Sequence, residues 1–256
     1  MIIMIFYFFF ISLIILLSTI GFGLITTRLL KFENFNYNYG VIGILGLFSL
    51  SVIASLTHLF FPHNYFHNLL LIIIGILGLF QFNKKNFKEI NYILIIFSLL
   101  FLALLIAKTN EDFGYYHLPN SIQFAQQKLQ FGLGNLNHGF KHISSLFMIM
   151  SLNYLPLVEH YLFNLTNFLF LTFFINFLIN EIYFRKNINL KLSSIILSLI
   201  LVLFLSKFSR LSEFGSDIAG QIVILISIFY IIEYFFNEKI KENKIQYLKI
   251  SILLIV

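Results

Sequence analysis

The chain has 256 residues, 59% of them hydrophobic and only 11% charged, with a mean hydropathy of +0.90. A soluble domain of this length is closer to half apolar and a quarter charged, so a water-soluble globular fold is excluded. The net charge of +6 sits in short loops between apolar runs, which reads as a topology signal rather than a nucleic-acid surface. With no cysteine present, disulfides and thiolate metal sites are also excluded.

Apolar runs long enough to approach or cross a bilayer core fall at 3–27, 41–61, 69–82, 92–107, 157–184, 192–208 and 222–236, and an eighth begins near 250. The expected fold class is all-α: a polytopic transmembrane helix bundle of about seven to eight spans, forming a single integral membrane domain over 1–256. The first run lacks a basic start and a small-residue cleavage site, so it reads as a span and not a removable signal. The run Ser251–Val256 has no closing anchor, which reads as a fragment of a longer chain.

The loops give the direction. Segments 28–40 (Arg28, Lys31), 83–91 (Lys84, Lys85, Lys88), 185–191 (Arg185, Lys186, Lys191) and 237–249 (Lys239, Lys241, Lys244, Lys249) hold twelve of the seventeen basic residues. They alternate with the poorly basic segments 62–68, 108–156 and 209–221. Strict alternation puts the basic loops in the cytoplasm and the N-terminus outside. All seven histidines and both aspartates, Asp112 and Asp217, then fall in or beside outer segments. The Asn164-Leu-Thr166 sequon lies inside a predicted span and is set aside.

Segment 108–156 is too polar to cross. Ile122, Ala125 and Leu129 recur at helical spacing among Gln123, Gln126, Gln127 and Lys128, which predicts an amphipathic helix in the interface, with Pro119 in its first turn. Gly132 and Gly134 break it, and a second helix is expected over 142–154. The outer loop thus reads as two juxtamembrane helices.

Glu111 and Asp112 directly follow the fourth span. A carboxylate fixed at a helix end and partly desolvated suits a general base; equally, such a pair anchors a span end. Tyr115, Tyr116 and His117 come next, as interfacial aromatics or as hydrogen-bonding groups lining a polar pocket. Gly132-Leu-Gly-Asn135, with Asn137, His138, Lys141 and His142, joins free amides to cationic side chains and so suits a phosphate; it is also simply a turn between helices. In 209–221, Ser216 and Asp217 open the next span as caps. That helix start offers N–H groups to an anion, with Arg210 nearby. His63 and His67, and likewise His138 and His142, stand four apart, but no third ligand is placed beside either pair, so no metal or other cofactor is expected.

Asn110-Glu-Asp-Phe-Gly-Tyr-Tyr-His-Leu-Pro119, followed by Gly132-Leu-Gly-Asn-Leu-Asn137, resembles a family of bacterial multispanning membrane proteins. These are similar to the GT-C superfamily of glycosyltransferases, which use lipid-linked sugars. Ser216-Asp217-Ile218 before a span fits the same pattern. The resemblance covers roughly 108–221. It implies an outer loop with an acidic residue at a span end, so Asp112, with Glu111 as runner-up, becomes the expected catalytic carboxylate. His117, Tyr116, Asn135, His138, Lys141, Arg210 and Asp217 become the expected substrate-binding residues.

The expected function is transfer of a sugar from a polyprenyl-phosphate donor to a cell-envelope acceptor, at the outer face of the bacterial inner membrane. The partners are then the lipid-linked sugar and the bilayer, with no nucleic acid. A transporter or flippase for a lipid-linked or anionic solute is the alternative, although mid-span titratable groups are sparse. A non-catalytic membrane scaffold is the third reading.

Overall fold

The computed structural model describes residues 2–32, 38–81, 87–106, 111–142, 144–187, 191–206, 214, 217–236 and 244–255. Within them the chain is all helical. Eleven α-helices follow in order: α1 Ile2–Leu29, α2 Tyr39–His58, α3 Tyr65–Gly78, α4 Phe87–Leu104, α5 Leu118–Gln126, α6 Leu133–Leu136, α7 Ser145–Ser151, α8 Leu165–Asn187, α9 Lys191–Ser206, α10 Ile218–Phe236 and α11 Lys244–Ile255. Four helical stretches are long and apolar enough to cross a membrane: Ile3–Leu29, Tyr39–His58, His160–Asn187 and Ile218–Phe236. Tyr65–Gly78, Glu89–Leu104, Leu192–Ser206 and Ile245–Leu254 are apolar but shorter.

Polar groups in the long apolar helices are in part satisfied within the helix itself. Ser12 and Thr19 donate their hydroxyls to carbonyls four residues back, so that neither faces an apolar surface unpaired. Asn38 caps α2 by accepting from the Gly40 amide and donates to the Phe177 carbonyl of α8. Asn64 caps α3, accepting from the amide of His67. That cap starts the third apolar helix at Tyr65, four residues before the hydropathy limit of 69.

α8 is the axis of the bundle. The span built on it is 89% buried, against 33% for the first span, and it packs against α2, α4, α9 and α10. α1 lies between α2 and α3. Gly46 lets α1 and α2 meet: a Cβ there would run into the Thr19 carbonyl.

The starts of α2 and α4 and the ends of α8 and α10 meet at one end of the bundle. Arg185, 2% exposed, pairs there with Glu233 at 2.9 Å and with Glu181 at 3.5 Å. Its guanidinium also lies 4.8 Å from the centre of the Phe229 ring, and Asn180 donates to Glu89 at 2.7 Å. The opposite end carries the histidines.

Two segments depart from their expected form. The run from 157 does not enter its helix directly. Leu157 and Glu159 have positive φ of 68° and 44°, and the Glu159 amide closes the turn on the Leu155 carbonyl at 2.8 Å. A short 3-10 turn, His160–Leu162, follows, and α8 begins at Leu165. The expected helix over 142–154 is shorter, Ser145–Ser151, with Ser144 as its cap. It does not float above the spans: Met148 and Leu152 cluster with Phe22, Leu50 and Ala54, in the second halves of α1 and α2.

Candidate functional site

The polar end is built on the chain that follows α4. Leu118 donates its amide to the Phe113 carbonyl, five residues back, which makes Phe113–His117 a π turn. Pro119, next in line, has no amide with which to close the tighter α register. The widened turn runs into α5 and carries Tyr116 and His117 toward the bundle.

His117 is buried. Its Nδ1 lies 3.1 Å from the Phe214 carbonyl. A carbonyl only accepts, so Nδ1 carries the proton and Nε2 is left as an acceptor. The Tyr116, Phe147 and Phe214 rings surround the imidazole, with centroids 4.3, 5.1 and 6.4 Å away. Burial lowers the His117 pKa below its usual 6.5, against the opposing pull of the Phe214 carbonyl and of the Asp112 and Asp217 carboxylates. The Tyr116 phenol is pushed up, first by burial and then by the same two carboxylates, Asp112 also accepting its hydrogen bond.

Tyr116 and His117 open onto a cavity of about 630 Å³. Its polar mouth is formed by Tyr116, His117, His142, Ser144, Ser145 and Asp217. Below it lie Ile44, Leu47 and Phe48 of α2, Phe170 of α8, Val223 of α10 and Leu254 of α11. Ile44 to Ser51 of α2 line it, a depth of about 10 Å at the helical rise. α10 starts at the mouth, and a Cβ on Gly220 would meet nothing within 4 Å. The cavity is therefore amphiphilic, with charge and hydrogen-bonding groups above and hydrocarbon walls below.

Of the residues singled out from sequence, Tyr116, His117, His142 and Asp217 line this cavity. Glu111 and Asp112 are exposed and do not line it; Asp112 reaches it through Tyr116 and by its field on His117. Asn135, His138 and Lys141 are exposed outside the lining, although the His138 ring lies 5.3 Å from that of His142. Arg210 and Ser216 lie outside the described residues. The backbone carbonyl of Asp217 accepts from Gln221, so Asp217 starts α10 and faces the cavity as well. Ser51, Ser144 and Ser145 carried no sequence signal, since each sits in or beside an apolar run.

His58, His63 and His67 form a second cluster, away from the cavity. His63 is fully buried, with Nδ1 2.6 Å from Ser151 Oγ and Nε2 3.1 Å from the Ala54 carbonyl. Burial, with help from the neighbouring His67 and His58, lowers its pKa to about 3. Asn68 donates to the carbonyls of His63, Ser151 and Tyr154, and the His63 amide donates to the Phe124 carbonyl. The cluster thus joins the α2–α3 hairpin to α5 and α7. Among the described residues, no group of three or more His, Asp or Glu could hold a metal ion.

Fold and cavity together define a helical protein with several helices of membrane-spanning length, a membrane protein in character, holding an amphiphilic cavity at its histidine end. Residues 1–256 match the family described as Domain of unknown function (DUF8201), and the chain belongs to that family. No curated protein and no solved structure matches it.

Proposed function

We propose that this chain is a GT-C-like membrane glycosyltransferase that moves a sugar from a polyprenyl-phosphate donor to a cell-envelope acceptor. The observation that supports it is the cavity: a polar mouth of Tyr116, His117, His142 and Asp217 above apolar walls. A lipid-linked sugar has the same two-part chemistry. In this reading the bundle crosses the inner membrane seven or eight times, basic loops inward and the histidine end outward.

His117 Nε2 takes the proton of the acceptor hydroxyl. The hydroxyl oxygen bonds to the anomeric carbon, and the bond from that carbon to the phosphate oxygen breaks. The polyprenyl phosphate leaves with the electron pair. Asp112 and Asp217 stabilise the imidazolium that forms. The first amides of α10, with His142 at the mouth, receive the phosphate charge. The apolar walls accommodate the first isoprene units.

The test is mass profiling of surface glycans and polyprenyl-linked sugars in a host deleted for the chain, complemented with wild type, His117→Asn, Asp112→Asn or Asp217→Asn. Loss of one sugar with accumulation of its lipid-linked donor, in the deletion and in His117→Asn, is the expected result. An unchanged profile in every strain overturns the enzyme reading.

A flippase or transporter is the second reading, favoured by the buried Arg185–Glu233–Glu181 cluster at the other end of the bundle, because ionisable groups within spans commonly serve transport. Flux of a lipid-linked solute in proteoliposomes without a covalent product would distinguish it.

A further inference from the structure

The turn between α5 and α7 exposes hydrocarbon where a water-facing loop exposes polar groups. Phe131 is 92% exposed and Leu136 83% exposed. Gly132, at φ +87°, occupies backbone space that other residues rarely adopt, and the Asn135 amide closes the turn on its carbonyl at 2.9 Å.

The location of this tip is fixed. The Leu129 amide donates to the carbonyl of His58, the last residue of α2, at 3.2 Å. α2 is one of the spanning helices, and its exposed apolar face runs through Val52, Leu56 and Leu59 into exposed Phe60 and Phe61. Phe131 stands two residues beyond Leu129, and so close to the end of α2. Lys128, His138 and Lys141 flank the tip and are exposed. Aromatic and aliphatic side chains flanked by two lysines and a histidine, at the level of a span end, match the chemistry of the headgroup–acyl boundary.

We infer that the tip Phe131–Leu136 is a lipid anchor, inserting Phe131 and Leu136 into the leaflet at the histidine end. The occupant is the bilayer rather than a second protein, because the tip is tied to the end of a helix of membrane-spanning length and the exposed Lys128 and Lys141 beside it suit anionic headgroups. The anchor also bears on the cavity. α6 packs on the 3-10 turn His138–Lys141, where a Cβ on Gly134 would stand 2.8 Å from Lys141 Cγ, and His142 at the cavity rim comes next. A tip held in lipid therefore holds the rim of the cavity at the bilayer surface. This inference rests on the membrane reading of the helices and is independent of any catalytic role.

The chain contains no tryptophan, so Phe131→Trp introduces a single reporter. The full chain would be reconstituted in vesicles of phosphatidylethanolamine and phosphatidylglycerol, with and without phosphatidylcholine brominated near the glycerol end of its acyl chains. The expected result is emission blue-shifted from that of the unfolded variant, lost to brominated lipid and retained against aqueous iodide. Loss to iodide alone places the tip in water, and retention against both quenchers places it under protein; either result overturns the anchor. Leu136→Trp repeats the measurement at the other end of the turn and keeps the test decisive if Phe131→Trp does not fold.

Discussion

His117 Nδ1 and the carbonyl oxygen of Phe214 lie 3.1 Å apart across 97 residues of sequence, and that contact fixes which ring nitrogen faces the cavity. If Nε2 is the base, His117→Gln slows sugar transfer by about 100-fold or more. Because burial lowers the His117 pKa, the base stays deprotonated below its usual 6.5, and the acid limb of the rate falls below that pH. Transfer from a synthetic polyprenyl-phosphate sugar, followed against pH in nanodiscs, measures both. An acid limb above pH 6.5 would assign the base elsewhere.

Gly220 tests the cavity without disturbing the fold. A Cβ there meets nothing within 4 Å, and in a helix leucine is favoured over glycine by roughly 0.5–1 kcal/mol. Gly220→Leu therefore keeps or slightly raises the thermal midpoint while occupying the space beneath the mouth. Transfer activity drops as the donor loses room. Full activity with an unchanged midpoint would show that the substrate does not use this cavity.

The His63 cluster makes the histidine end sensitive to acid. Unfolded, His63 takes a proton near pH 6.5; folded, it stays neutral down to about 3. Between these values the unfolded chain binds more protons, so the stability present above pH 6.5 declines steadily toward pH 3. Over the whole window the loss attributable to His63 is at most about 5 kcal/mol. Thermal unfolding in nanodiscs at pH 7.5 and pH 5 should give a lower midpoint in acid. His63→Asn, which has no titrating ring, should shrink that difference; an undiminished difference would assign the acid sensitivity to other groups.

Arg185 and Glu233 tie α8 to α10 at the opposite end. With both buried and 2.9 Å apart, removing Glu233 leaves Arg185 only the longer 3.5 Å contact with Glu181, at a cost of up to about 3–5 kcal/mol. Glu233→Ala is expected to lower the midpoint by that equivalent, and Arg185→Met combined with Glu233→Leu to recover much of it. Equal destabilisation by the single and double variants would contradict the ion-pair account.

The sequence by itself determined the apolar helices, the alternation of basic and poorly basic loops, and the segment that carries the site. Hydropathy and charge are local properties, and 108–156 announces itself by polarity within an apolar chain. Tyr116, His117 and His142 were legible because titratable and aromatic residues stand out there, as Asp217 does in 209–221. The tertiary structure decided which of the candidates share a cavity. α1 and α8 do not segregate polar from apolar residues onto separate faces, so no stripe in their sequences says which neighbour each face meets. Asp112, foremost by its position at a span end, sits exposed beside the cavity, while His117, five residues on, is carried inward by the π turn before Pro119. The apolar half of the site joins residues of α2, α8, α10 and α11 that lie far apart in sequence and look like ordinary span residues until the helices pack.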